Sequence, residues 1–198
     1  VMKATQKFIR LSLIAAGLLV AGGAVAQDAK IKVGLMLPYS GTFASLGKDI
    51  TDGFKLAINE KGGKLGGKDI EYFTVDDESD PAKATDNTNK LVSRDKVDVL
   101  VGTVHSGVAM GMIKVAKENN TLTLIPNAGA AAATGPLCAP NIFRTSFSNW
   151  QPAYPMGKVM FDKGHKRVVT VTWKYAAGDE SVGGFKEGFE KAGGKVEK

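Results

Sequence analysis

The sequence predicts an α/β protein organised on a doubly wound parallel sheet, and three observations carry that prediction. Short apolar runs alternate along the chain with longer stretches whose apolar positions recur at every third and fourth residue, the order strand, crossover helix, strand. The runs are rich in Val, Ile and Leu with little alternation, as in Val97-Asp98-Val99-Leu100-Val101, which suits strands buried on both faces. Each run then breaks at Pro or Gly and opens into a polar loop: Leu37-Pro38-Tyr39, Val101-Gly102-Thr103, Ile125-Pro126-Asn127.

Residues 1–26 stand apart. Lys3, Lys7 and Arg10 precede an apolar run from Leu11 to Ala21, and Ala24-Val25-Ala26 follows; this is the composition of a secretory signal peptide cut after Ala26, too short to span a membrane. Lys30 to Leu37 reads as the first strand, stopped by Pro38, and Tyr39 to Gly47 as a loop. Ile50, Phe54, Ala57 and Ile58 mark a helix face closed by Gly62-Gly63, and Gly66-Gly67 completes a turn. Asp69 to Val75 is a second strand. Asp80 and Pro81 then cap and start a helix reaching Arg94. Val97 to Gly102 is the central strand, Val108 to Glu118 an amphipathic helix, and Thr121 to Ile125 a fourth strand. Ile142 to Thr145 forms one more short strand after a small-residue loop. Beyond it come a helix from Trp150 to Phe161 interrupted by Pro152 and Pro155, a strand from Val168 to Thr172, and part of a helix from Phe185 to Ala192. Residues 27–145 therefore read as a complete first lobe. Residues 146–198 read as an incomplete second lobe, so this chain alone is expected to bind a ligand poorly.

Composition narrows the function. The net charge of +6 falls to +3 without Lys3, Lys7 and Arg10, and no basic cluster interleaved with aromatics remains, so nucleic acid is not an expected partner. With two histidines, no Gly-x-Ser-x-Gly elbow and no Cys-His pair, the chain lacks a nucleophile with its base, and no enzyme activity or cofactor is expected. Asp76, Asp77, Glu78 and Asp80 lack the ligand spacing of a calcium loop, so no metal site is expected. Cys138, the single cysteine, is either a buried thiol or paired beyond Lys198.

The candidate site follows from the sheet. Parallel strands bring all their carboxyl ends to one edge, where the loops Tyr39–Gly47, Asp76–Asp80, Thr103–Gly107 and Asn127–Ala130 converge. Ser106 sits where a helix N-cap belongs, with His105 and Gly107 beside it, and a helix start at such an edge favours an anion. Tyr39, Phe43, Leu46, Trp150 and Tyr175 are candidate wall residues.

Gly34-Leu35-Met36-Leu37-Pro38-Tyr39-Ser40-Gly41, Gly62-Gly63 before Leu65-Gly66-Gly67, Asp76-Asp77-Glu78-Ser79-Asp80-Pro81, the Gly102–Gly107 turn and Ile125-Pro126-Asn127-Ala128-Gly129 occur in that order. Together they resemble the substrate-binding proteins of branched-chain amino-acid type ABC importers, of the type I periplasmic binding fold, in their N-terminal part. Thr103-Val104-His105-Ser106-Gly107 and Pro126-Asn127-Ala128-Gly129 are most similar to members that bind aromatic carboxylates. The resemblance implies an exported, periplasmic, monomeric protein that holds a small carboxylate between two lobes and delivers it to membrane permease subunits. A sensory domain of the same fold is the alternative. It implies that the ligand carboxylate meets Ser106 and the Asn127, Ala128 and Gly129 loop. Where branched-chain amino-acid binders carry a cysteine pair, this sequence has Ser79 and His105; where they carry a loop threonine it has Gly129, and where a second-lobe tyrosine stands it has Ala177, with Tyr175 nearby. These departures favour an aromatic carboxylate over a branched-chain amino acid.

Overall fold

A computed structural model describes residues 29–197; the expected signal segment lies outside them. Eight strands and five α-helices follow one another: β1 Ile31–Leu37, α1 Ala44–Asn59, β2 Lys64–Leu65, β3 Lys68–Asp76, α2 Ala84–Asn89, β4 Val99–Gly102, α3 Ser106–Glu118, β5 Leu122–Ile125, β6 Ile142–Arg144, α4 Trp150–Asp162, β7 Arg167–Val169, α5 Ala176–Lys191 and β8 Lys195–Glu197. A 3-10 turn at Pro81–Lys83 leads into α2, which continues as a wider turn over Lys90–Arg94. Six strands form one sheet in the order β2-β3-β1-β4-β5-β6, all parallel except β2, and β7 pairs with β8 in a second, parallel sheet.

The alternation of side chains along a strand explains the two layers over the larger sheet. On one face Val33, Leu35, Val99 and Val101 pack with Phe54 of α1, while on the other Met36 and Leu100 join Leu91, Val108, Met112, Ile113 and Ala116 from the α2 and α3 side. Central strands β1 and β4 are buried on both faces, which is why their sequences run apolar. Chain order reverses between them: β1 leads outward to β3, and β4 leads the opposite way to β5 and β6.

Several elements depart from the sequence reading. Helix α1 begins at Ala44, inside the expected loop, so Leu46 lies on its first turn. The Gly66-Gly67 turn, with both residues at positive φ, closes a hairpin between β2 and β3 that the short run Lys64-Leu65 does not announce. Helix α4 is continuous. Pro152 falls in the first turn, where its missing N–H costs nothing, and the single bond lost at Pro155 is outweighed by close packing on α5. β7 is shorter than expected, and a second strand, β8, pairs with it. Cys138 is exposed, which excludes the buried thiol.

The α4–α5 contact depends on glycine. A Cβ on Gly188 would lie 2.0 Å from the Tyr154 carbonyl oxygen, and one on Gly157 would lie 2.3 Å from the Phe189 nitrogen. Backbone that close cannot yield without separating the helices. Gly188→Ala is therefore expected to destabilise the protein by at least about 1–3 kcal/mol in chemical denaturation. An unchanged midpoint would show that the helices are not held at this distance in solution.

Candidate functional site

Chain order reverses between β1 and β4, and the carboxyl edge at such a reversal is the usual ligand position in a sheet of this kind. Asp76 and Asp77, at the end of β3, organise this edge. Asp76 Oδ1 accepts from the backbone N–H of Tyr39 at 2.8 Å and of Glu78 at 3.0 Å. Burial alone would raise the Asp76 carboxyl, but these bonds and those from Ser40 outweigh it and hold the group below its ordinary range. Asp77 is fully buried, accepting from the Thr103 hydroxyl and, at 2.8 Å, from the Ser79 N–H. Thr103 in turn accepts the Ala128 N–H on its carbonyl at 2.9 Å. One carboxylate thus ties together the loops after β3, β4 and β5.

Ser106 is the first residue of α3 rather than its cap. The N-cap is His105, whose Nδ1 accepts the Gly107 N–H at 3.0 Å, so an imidazole takes the place expected for the serine hydroxyl. With Nδ1 occupied as an acceptor, the ring proton resides on Nε2. Burial lowers the His105 pKa and Asp77 opposes this only in part, leaving the ring neutral at pH 7. Freed from capping, the Ser106 side chain is buried and accepts from Asn149 Nδ2 at 3.2 Å.

Residues from both sheets meet here. The Asn149 N–H donates to the Gly129 carbonyl at 2.8 Å, and a Cβ on Gly129 would lie 2.4 Å from Asn149 Oδ1. Glycine at this position is therefore required by the amide packed on it.

 A side chain there would have to displace Asn149 from Ser106. Glu180 of α5 accepts from the Ala131 N–H at 3.0 Å through Oε1 and at 3.1 Å through Oε2, and from Asn149 Nδ2 at 2.8 Å. The Tyr175 ring lies 4.8 Å from His105 between centroids, and Phe43 lies 6.4 Å from His105 on its other neighbour contact. Phe43, His105, Ser106 and Tyr175 are thus gathered at one place, with Asn127, Ala128 and Gly129 in the adjoining loop. Asn127 is half-buried. Tyr39 bonds its hydroxyl to Thr51 at 2.8 Å, Leu46 is 39% exposed, and Trp150 stacks on Tyr154 at 4.5 Å while donating to Glu187 at 2.9 Å.

Sequence reasoning missed Asn149, Glu180, Thr103 and the burial of Asp77. Asn149 carried a signal, since Asn is a favoured residue before a helix, but its side chain makes no capping bond to α4. Among the described residues no group of three His, Cys, Asp or Glu side chains is placed to hold a metal ion. The arrangement offers a buried hydroxyl, an imidazole and polar backbone beside aromatic rings, a set suited to binding rather than to proton or acyl transfer.

Burial is the main cause of the raised Asp77 pKa, only partly opposed by the Thr103 and Ser79 bonds. An acid with a raised folded-state pKa binds more protons folded than unfolded, so its contribution to stability is greatest below the ordinary carboxylate range and declines as pH rises through the shifted value. Asp77→Asn, which cannot ionise, is expected to compare more favourably with the wild type at pH 7 than at pH 4 in urea denaturation. A difference between the two proteins that does not change with pH would show that Asp77 titrates normally.

The sequence profile of the periplasmic binding protein family matches residues 30–198. A solute-binding protein of an ABC transporter from R. palustris, solved in complex with benzoate, is 55% identical with a TM-score of 0.82, over 85% of this chain and 47% of that one. One from Rhodopseudomonas palustris BisB5, solved with 3,4-dihydroxybenzoic acid, is 33% identical with a TM-score of 0.77, over 84% and 46%. Leu/Ile/Val-binding protein homolog 6 of Brucella abortus (strain 2308) is 33% identical over 96% of this chain and 48% of its own length. The chain spans about half the length of the relatives it matches. From its profile match and its solved neighbours, the chain belongs to the periplasmic binding protein family and carries the type I fold of that family.

Proposed function

We propose that this protein is the periplasmic solute-binding component of an ABC importer, taking a small aromatic carboxylate at the carboxyl edge and delivering it to membrane permease subunits. The observation that carries this reading is the buried Ser106 hydroxyl at the first turn of α3, beside the Asn127–Gly129 loop and the His105–Tyr175 ring pair. A carboxylate gains from a hydroxyl donor at a helix start, and a flat ring gains from aromatic neighbours at about 0.5–1.5 kcal/mol each. The ligand identity is further supported by the R. palustris relative bound to benzoate.

A branched-chain amino acid is the second reading, favoured by the Leu/Ile/Val-binding protein homolog of Brucella abortus. Its ammonium group would need an acid, because an unpaired buried charge costs several kcal/mol. Among the described residues the carboxylates at the edge already accept hydrogen bonds: Asp76 from Tyr39 and Glu78, Asp77 from Thr103 and Ser79, Glu180 from Ala131 and Asn149.

Protein expressed from its complete gene is expected to be stabilised in thermal-shift measurements by benzoate or 3,4-dihydroxybenzoate and not by leucine, isoleucine or valine. A ligand at a hundred times its Kd contributes about 2.7 kcal/mol, a readily measured shift. Stabilisation by the amino acids alone would reverse the assignment. Ser106→Ala is expected to weaken carboxylate binding by about 1–3 kcal/mol, and an unchanged Kd would remove Ser106 from the site.

A further inference from the structure

We infer that Asn149, held by Glu180, is a positioning residue that fixes the polarity of the Ser106 hydroxyl and so selects a hydrogen-bond acceptor as ligand. The inference rests on the carboxylate reading of the Ser106 site and adds residues to it that lie outside the sequence motifs. The chain of constraints begins at Glu180. A carboxylate presents acceptors only, so the amide atom 2.8 Å from Glu180 Oε2 must be the Asn149 nitrogen and not its oxygen. The same nitrogen lies 3.2 Å from Ser106 Oγ, and its second proton is therefore donated to that hydroxyl. Ser106, accepting from Asn149, keeps its own proton free to donate. A ligand group arriving at this hydroxyl is bound best if it accepts, as a carboxylate oxygen does.

The network is held on every side. Asn149 is 7% exposed and Ser106 is 2% exposed, so water does not readily replace either partner. Asn149 Oδ1 packs on Gly129, the Asn149 N–H bonds the Gly129 carbonyl, and the Asn149 carbonyl accepts from the Ser181 hydroxyl at 3.4 Å. Glu180 is itself fixed by the Ala131 N–H. Glu180 belongs to α5, which packs beside the second sheet, whereas Ser106 begins α3 on the larger one. Approach of α5 to the larger sheet therefore sets the direction of the hydroxyl proton.

The test is a double-mutant cycle on protein expressed from its complete gene, with benzoate as probe and calorimetry as readout. Asn149→Ala is expected to raise the benzoate Kd about tenfold when Ser106 is present and less than about twofold in a Ser106→Ala background. Glu180→Gln gives a second route that keeps the side-chain shape. Glutamine can turn its NH2 toward Asn149, whose amide then reverses and draws the Ser106 proton to Oδ1; benzoate affinity should fall at least threefold, again only when Ser106 is present. Losses that add in full to that of Ser106→Ala would show that Asn149 and Glu180 act only in folding, and would overturn the inference while leaving Ser106 in the site. An unaltered Kd in Ser106→Ala alone would defeat both the inference and the site on which it rests.

Discussion

The buried carboxylate of Asp77 is the constraint on which the organised edge of this protein depends. Each loop beyond a parallel strand is anchored at one end only by the sheet, and the other end must find its own hydrogen bonds. Asp77 supplies them for the loop after β4 by accepting from Thr103, and Thr103 extends the same fixation to the loop after β5 through Ala128. The cost is a desolvated acid, visible as its raised pKa. Through that acid the loops after β3, β4 and β5 are held at fixed separations.

A second layer of order comes from across the two sheets. His105 of the larger sheet faces Tyr175 at the start of α5, and Glu180, one turn further along that helix, reaches the Ala131 N–H and Asn149. The α4–α5 pair acts as one unit because glycines let the two backbones approach closely. Movement of this unit relative to the larger sheet would alter ring contact, carboxylate anchoring and Asn149 together. The site is thus coupled to the arrangement of the helices as much as to the edge of the sheet.

Family membership and these contacts fit each other without one being needed to explain the other. Ser79 and His105 stand where branched-chain amino-acid binders are expected to carry cysteines, and His105 uses its position as helix cap and ring partner. Gly129 stands where a threonine is expected, and the space is filled by Asn149. At Gly129 a side chain of the loop itself is thus replaced by one from a residue distant in sequence.

What the sequence determined by itself was the alternation of strand and helix, the convergence of the loops after β1, β3, β4 and β5 at one carboxyl edge, and the Asp80–Pro81 helix start. These follow from side-chain periodicity and from local backbone chemistry, which a short window contains in full. The place of Ser106 in that edge was legible; its role as cap was not, because serine and the histidine before it compete for the same N–H groups and only the observed backbone shows that His105 holds them. Tertiary structure alone decided that Trp150 turns to Glu187 while Asn149 turns inward, that α4 continues through Pro155, and that Glu180 reaches Asn149 from 31 residues away. Each of these outcomes depends on which distant surface a side chain meets, and sequence spacing carries no record of that meeting.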